Sequence, residues 1–271
     1  MKAIILGAGY GTRLVEEAEK LDDKDLLKYI RSTPKPLLEV NGRPIINQLI
    51  DRLATSVPSI RIVANNYAPF FNAFNAWFEI NQSAYRSEGI NLSLVFDGSY
   101  EFGHNKGAVV DMSLGFGFGT SDELADAEGC FVLAGDRLLP KNVDLEIMIN
   151  LMKEKGTSVI GVYDTEDLSL MKGKSQLTHD ENMRITSFKE KFPEAIHTKL
   201  CPGLYLFRPE DYALIPEFLK KSEFTDAPGY FVQYLFDKGV PLHGYELKSK
   251  LIDFGSLSSI PDTVKSAWLE R

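Results

Sequence analysis

The stretch LGAGYGTRL, Leu6 to Leu14, sets Gly7, Gly9 and Gly11 within five positions and follows them with Thr12 and Arg13. Glycines let backbone N–H groups approach an anion closely, and an arginine beside the turn adds a fixed cation, so the chemistry on offer is phosphate binding. Two common owners of such loops do not fit. The dinucleotide fingerprint needs a glycine at its sixth position, where Thr12 stands, and the Walker loop needs a terminal G-K-[ST] that does not follow here. Taken alone, the loop also admits a plainer reading, a tight turn with a surface arginine. A second feature is TPKPLLEVNGRPII at 33–46. Pro34 and Pro36 flank Lys35, and each proline restricts the residue before it. The expectation is extended, non-helical chain that fixes Lys35 as a point charge for phosphate.

These residues need a frame. Apolar, β-branched runs recur as AIIL at 3–6, IRIVAN at 60–65, LSLVFD at 92–97, CFVLAGD at 130–136 and SVIGVYD at 158–164. Helical spacing fills the intervals: Ile45, Leu49 and Leu53 share one face of 44–54, and Leu145, Ile149 and Met152 share one face of 143–154. Strands alternating with helices predict an α/β fold with a parallel sheet covered on both sides. Several runs end in Gly7, Asn65, Asp97 and Asp136, the edge at which such sheets hold ligands. From about 165 the texture changes. SQLTHDENMRITSFKEK alternates about a DEN turn and predicts a β-hairpin, with helices at 209–220 and 229–237. LDDKDLLKYIRS predicts a charged amphipathic helix capped by Asp22 or Asp23.

Composition narrows the partners. The 271 residues are 44% hydrophobic and 25% charged, with a formal net charge of −8. An acidic chain has no general electrostatic reason to bind nucleic acid, so an anionic ligand must be held locally. Cys130 and Cys201 are too few for a disulfide framework or a zinc knuckle, and no apolar run reaches membrane-spanning length. The stretch before the first glycine is too short for a signal peptide, so the expected setting is the cytoplasm.

Together, LGAGYGTRL and PKPLLEVNGRPI closely resemble the motifs of the sugar-phosphate nucleotidyltransferase family, of the glucose-1-phosphate thymidylyltransferase-like type. The resemblance continues in order through NKGAVVDM, VLAGD, RITSFKEK, PGLYLF, DAPGYFVQYL and LIDFGSL. It implies one nucleotidyltransferase domain over 1–271, with a Rossmann-like NTP-binding core at 1–164 and a smaller acceptor-binding lobe and sheet completion at 165–271. The sheet would be mixed and mostly parallel with helices on both faces, and the chain ends too soon after LIDFG for the β-helix that some members carry. The implied reaction joins an NTP and a sugar 1-phosphate, giving an NDP-sugar and pyrophosphate. A phosphomonoester with a second pKa of about 6 is already a nucleophile, so no serine, cysteine or histidine is required. What the reaction needs is cations and fixed N–H donors around the α-phosphorus.

The resemblance assigns roles by position. Leu6, Gly7, Ala8, Gly9, Gly11 and Thr12 would line the NTP phosphates, with Arg13 neutralising the departing pyrophosphate and Lys35 meeting the transferring phosphate. Asp136 and Asp253 match the family's two Mg²⁺ carboxylates, whose rivals are turn and cap roles. Asp97 and Gly107 fall where members approach the base. Glu190 and Lys191 match the pair that meets sugar hydroxyls and acceptor phosphate, with an exposed ion pair as the plain alternative. Gly203, Tyr205 and Asp226 fall at acceptor-facing positions, although Tyr205 reads equally as a strand aromatic. The expected partners are an NTP and a small phosphorylated acceptor, with no nucleic acid and no membrane, and self-association as a homo-oligomer is left open.

Three departures stand out. Arg137 replaces the asparagine usual after the metal-site GD, adding a cation near the acceptor phosphate or forming a salt bridge elsewhere. Phe192 displaces the proline usual after the EK pair. The stretch from Val15 to Thr33 is longer than expected, and reads as a solvated insertion or as a lid over the NTP. A cytidylyltransferase for phosphocholine or a similar small phospho-alcohol or phosphonate is the alternative enzyme, because YAPFFNAFNAWF at 67–78 holds aromatics suited to a quaternary ammonium cage. A helix packed on the sheet explains the same spacing. A catalytically silent, ligand-sensing relative is the alternative of another class, and joint retention of Arg13, Lys35, Asp136 and Asp253 argues against it. A dehydrogenase is disfavoured by Thr12.

Overall fold

Each β-branched run named above becomes a strand. A computed structural model describes residues 1–21, 23–118, 127–257 and 260, and Asp22, one of the two expected caps, lies outside them. The class is α/β with a mixed sheet, and among the described residues there is no β-helix. The chain clusters into two units, each assembled from separate segments.

The first unit comprises Ile5–Lys106, Ala134–Leu139 and Leu251–Arg271. Strand β1 (Lys2–Leu6) delivers its last residues here, where Gly7 N–H donates to Val63 O at 2.7 Å. Strands β2 (Ser59–Ala64) and β3 (Asn91–Phe96) pair in parallel, residue by residue from Ser59 opposite Asn91. Helices α1 (Thr12–Lys20), α2 (Lys24–Ser32), α3 (Ile45–Ala54) and α4 (Ala68–Ser87) cover this unit. In α3 the expected stripe of Ile45, Leu49 and Leu53 is wholly buried. Asp23 caps α2, its carboxylate accepting from Leu26 N–H at 2.9 Å.

The segment from Val15 to Thr33 is not a solvated insertion. Leu14, Val15 and Ala18 of α1 and Leu26 and Ile30 of α2 share one apolar cluster with Ile45, Phe254 and Leu257. Fully burying a side chain of leucine or valine size contributes roughly 1.5–3 kcal/mol, which outweighs the charged appearance of the outer faces. Nearly all of 67–78 forms the helix that was the alternative to a cage. Phe70, Phe74 and Trp77 are buried along α4, and Tyr10, Tyr67, Phe70 and Phe102 pack edge-to-face or stacked with centroids 5.3–6.2 Å apart. Tyr10 and Phe70 are buried in this group and Tyr67 and Phe102 half-buried, and the rings contact one another.

The second unit comprises Met1–Ile4, Gly107–Leu133 and Pro140–Lys250. Its longer strands are β4 (Cys130–Ala134, whose last residue falls in the first unit), β5 (Ser158–Asp164), β6 (Gln176–His179), β7 (Ile185–Lys189), β8 (Leu204–Phe207) and β9 (Leu242–Glu246). Strand β8 lies between β4 and β5, antiparallel to both, with Tyr205 opposite Val132 on one side and Ile160 on the other. β9 runs parallel to β5. This pairing explains why 107–133 and 140–164 cluster with later segments, so the boundary expected at 164/165 coincides with neither unit's edge. The hairpin forms as β6 and β7 about the Asp180–Met183 turn.

Helices α5 (Ala108–Phe116), α6 (Leu145–Lys155), α7 (Pro209–Tyr212), α8 (Ile215–Lys221) and α9 (Pro228–Asp237) complete this unit. The helix expected at 209–220 is broken into α7 and α8. Pro216 supplies no N–H for the carbonyl of Tyr212, so a continuous helix would lose a bond there. Among the described residues no helix is long and apolar enough to cross a membrane.

Candidate active site

The glycine loop is held from behind. Leu6 O accepts from Gly135 N–H at 2.8 Å, fully buried Asn65 donates through Nδ2 to Ala8 O at 2.8 Å, and Tyr10 OH donates to Ser99 O at 3.1 Å. The three glycines are not equivalent. A Cβ on Gly7 would meet Phe74 and Val63 O at 3.1 Å, whereas one on Gly9 would meet nothing. Gly11 adopts a left-handed φ of +68°, and a Cβ there would press the Lys35 side chain at 3.3 Å. Gly11 also heads α1 without a side-chain cap, so the first N–H groups of that helix keep donor capacity for an anion. Thr12 and Arg13 are exposed at this end, and Arg13 makes no ion pair among the described residues.

Lys35 is not in extended chain. Lys35–Leu37 form a single 3₁₀ turn, with Leu37 N–H donating to Pro34 O and Leu38 N–H to Lys35 O. Proline suits the first turn of a helix, where its missing N–H has no partner to lose, so the flanking prolines start this turn instead of forbidding it. The turn still fixes the lysine. Lys35 Nζ pairs with Asp136 Oδ2, with only 15% and 17% of the two side chains exposed. Burial raises the Asp136 pKa, but the Lys35 ammonium and the Arg137 guanidinium outweigh it and hold the carboxyl below its ordinary value.

Asp253 reaches the same place through the backbone. Arg137–Leu138 and Ile252–Asp253 form a short antiparallel pair in which Asp253 faces Arg137, and Phe254 N–H donates to Asp136 O at 3.1 Å. Arg137 Nη2 lies 3.3 Å from Asp253 Oδ2, so this arginine forms a salt bridge within the carboxylate pair. The other carboxylate oxygen, Oδ1, accepts from Gly255 N–H at 2.7 Å. A Cβ on Gly255 would lie 3.8 Å from Arg13 Nη2, which sets the Arg13 guanidinium beside this turn. Three cations, Arg13, Lys35 and Arg137, thus accompany two carboxylates in one unit of an acidic chain. No group of three or more His, Cys, Asp or Glu that could hold a metal occurs among the described residues. Asp136 and Asp253 are two hard-oxygen groups, and Mg²⁺ is commonly held by one or two carboxylates with phosphate oxygens completing its shell.

Asp97 is turned to a local task. It is 7% exposed, and its carboxylate accepts from Ser99 N–H at 2.8 Å and from Ser99 Oγ at 2.6 Å. Gly107 belongs to the second unit, where φ is +100° and a Cβ would overlap Thr225.

Four of the five acceptor candidates are exposed or half-buried, all in the second unit. Lys191 Nζ pairs with Asp226 Oδ2 and lies 5.8 Å from the Tyr230 ring centroid. Glu190 donates its backbone N–H to Gln233 Oε1 at 2.9 Å, and its carboxylate covers Gly229, where any Cβ would overlap it. Lys191 itself takes a left-handed φ of +47°, so the change from proline to Phe192 accompanies a tight local turn. Gly203, at φ +87°, precedes β8. Tyr205 is 4% exposed and stacks on Phe207 at 5.7 Å, the strand-aromatic alternative. An open groove of about 690 Å³ continues from Glu190 past Phe218, Phe224, Tyr230 and Tyr234.

Residue types did not reveal Tyr10 or Glu17 as parts of this framework. Glu17 Oε2 accepts from Leu257 N–H at 2.6 Å, tying α1 to the turn after Asp253. Asn65 carried a signal as a polar strand end. Glu17 carried none, since its partner is a backbone group far along the chain.

Comparison with known proteins covers nearly the whole chain. The family model described as nucleotidyl transferase matches residues 2–267. A UTP–glucose-1-phosphate uridylyltransferase from a Synechocystis strain is 24% identical over 97% of this chain, and the chain spans 61% of that relative's length. A solved apo UDP-glucose pyrophosphorylase superposes with a TM-score of 0.73 at 17% identity, covering 100% of this chain and 98% of its own. A CTP:phosphocholine cytidylyltransferase from Streptococcus pneumoniae gives 0.64 at 19% identity, with 98% of each chain covered.

Proposed function

The chain belongs to the nucleotidyl transferase family, and from that premise we propose that it joins an NTP to a sugar 1-phosphate, releasing pyrophosphate and an NDP-sugar. One observation carries the reading: the glycine loop, Arg13, Lys35, Asp136 and Asp253, distant in sequence, converge in one packed unit. No nucleophilic side chain is needed, because the acceptor phosphate, with a second pKa of about 6, attacks the α-phosphorus in line. The chain's task is to bring two polyanions together. Loop N–H groups and the α1 N-terminus hold the β- and γ-phosphates, Arg13 neutralises the departing pyrophosphate, and Lys35 meets charge developing at the α-phosphate. Asp136 and Asp253 are the residues that would hold Mg²⁺, which when bound supplies Lewis-acid neutralisation of phosphate oxygens. Glu190, Lys191, Gly203 and Asp226 take the acceptor in this reading, the glutamate through hydroxyls and the lysine through phosphate.

The uridylyltransferase relative makes UTP with glucose 1-phosphate the first pair to try. The test is a pyrophosphate-release matrix of ATP, GTP, CTP, UTP and dTTP against sugar 1-phosphates, phosphocholine and aminoethylphosphonate, with and without Mg²⁺. Turnover confined to a sugar 1-phosphate and dependent on Mg²⁺ is expected. Turnover only with CTP and phosphocholine would replace this reading by a cytidylyltransferase, and silence in every well from folded protein would leave a ligand-sensing relative.

A further inference from the structure

Both carboxylates assigned to the metal are already engaged by cations of the chain itself. Lys35 holds Asp136, and Arg137 holds Asp253 at 3.3 Å. The second contact is not the chance reach of a long side chain. Strand register sets Arg137 opposite Asp253, and both side chains are partly buried, 26% and 39% exposed. The Arg137 guanidinium has capacity beyond this pair, since its Nε is buried and without a hydrogen-bond partner. A guanidinium offers five donors in a planar fork, a shape that matches phosphate as well as carboxylate. With Arg13 beside Gly255, three cations of the chain accompany the two carboxylates assigned to the metal, a charge balance that disfavours a bare dication.

We propose that Arg137 makes divalent-metal binding conditional on nucleotide. In the free protein Arg137 occupies Asp253 and opposes entry of a bare dication. An incoming NTP brings phosphate oxygens that accept from the Arg137 fork, releasing Asp253, so metal and nucleotide bind as a unit. This rests on the assignment of the NTP phosphates and the metal to this site.

The test uses the full chain and Mn²⁺ alone, with binding read from the loss of the free-ion paramagnetic signal. Wild type should bind Mn²⁺ weakly without nucleotide. Arg137→Gln should bind it roughly tenfold more tightly, the size of one charge-assisted contact. Arg137→Lys, which keeps the charge but not the fork, should fall between them. Arg137→Gln combined with Asp253→Asn should lose the gain, which a general loosening of the fold would not explain. Calorimetric titration with UTP in the presence of Mn²⁺ should show weaker nucleotide binding for Arg137→Gln than for wild type. Equal Mn²⁺ affinity in wild type and Arg137→Gln, with UTP binding intact, would overturn the role of Arg137 and leave the NTP site standing. Failure of wild type to bind any of the five NTPs with Mn²⁺ would overturn both.

Discussion

Lys35 and Asp136 give up most of their water to one another, and the pair survives because each leaves the other neither unpaired nor fully dry. Lys35→Met would remove one partner and strand a carboxylate at 17% exposure. The expected loss of stability is on the order of 2–3 kcal/mol, below the ~3–5 kcal/mol of a fully buried pair, and urea unfolding measures it. Asp136→Asn and Asp253→Asn should each abolish turnover while retaining a cooperative melt, and full activity in either variant would remove that residue from the metal site. The residue types of this site were legible in the sequence, because glycine spacing, a proline-flanked lysine and strand-end aspartates each have a physical reason to exist. Their partners were not. That Arg137 meets Asp253 follows from the register of two short strands far apart in the chain, and no local pattern encodes that register. Tyr205 illustrates the converse limit, since strand alternation fits an aromatic on either face and only the pairing of β8 between two strands buries it.

At the scale of elements, α1 and α2 carry more than their charged faces suggest. Ile30 is 1% exposed and packs in the cluster that contains Phe254, next in sequence to Asp253. Ile30→Ala should cost about 2–4 kcal/mol by leaving a cavity, and should lower turnover by loosening the turn that presents Asp253. Equilibrium unfolding and steady-state kinetics on the same preparation test both halves. Deleting Glu17–Ile30 should therefore unfold the first unit instead of altering NTP affinity alone. Strand β9 makes a separate pH prediction. His243 is 9% exposed, its Nδ1 lies 2.8 Å from Thr157 Oγ1, and burial, aided by Lys155 and Arg184 against Asp180 and Glu154, lowers its pKa below 6.5. The folded chain thus resists a proton that the unfolded chain accepts below about pH 6.5. The contribution of His243 to stability is complete above that value and is lost as pH drops below it towards the lowered folded-state pKa. His243→Gln, which cannot titrate, should flatten that dependence in urea midpoints measured across the range. The amphipathic pattern of α2 was legible, but not what its apolar side covers, because periodicity names a face and leaves its partner open.

At the scale of the whole molecule, the chain divides its candidate residues between two packed units. The glycine loop, Arg13, Lys35, Asp136 and Asp253 lie in one, and Glu190, Lys191, Gly203 and Asp226 in the other. Alternating strands and helices made the fold class legible from the sequence, whereas this division was not, because β8 joins β4 and β5 only through long-range pairing. A net charge of −8 repels both proposed substrates at long range, so each must be captured by cations within a few ångströms. Arg13 and Lys191 are then the residues whose loss should separate the two substrates kinetically. Arg13→Ala should raise KM for the NTP by roughly tenfold or more, the size of one charge-assisted contact to phosphate, with KM for the acceptor little changed. Lys191→Ala should do the reverse. Losing Lys191 also frees Asp226 as an unopposed negative charge, so Lys191→Ala combined with Asp226→Asn should recover part of the acceptor affinity. Initial rates over a grid of both substrates read all of these constants. If Arg13→Ala and Lys191→Ala each raise both KM values equally, the two units do not divide the substrates between them, and the acceptor assignment to Lys191 fails.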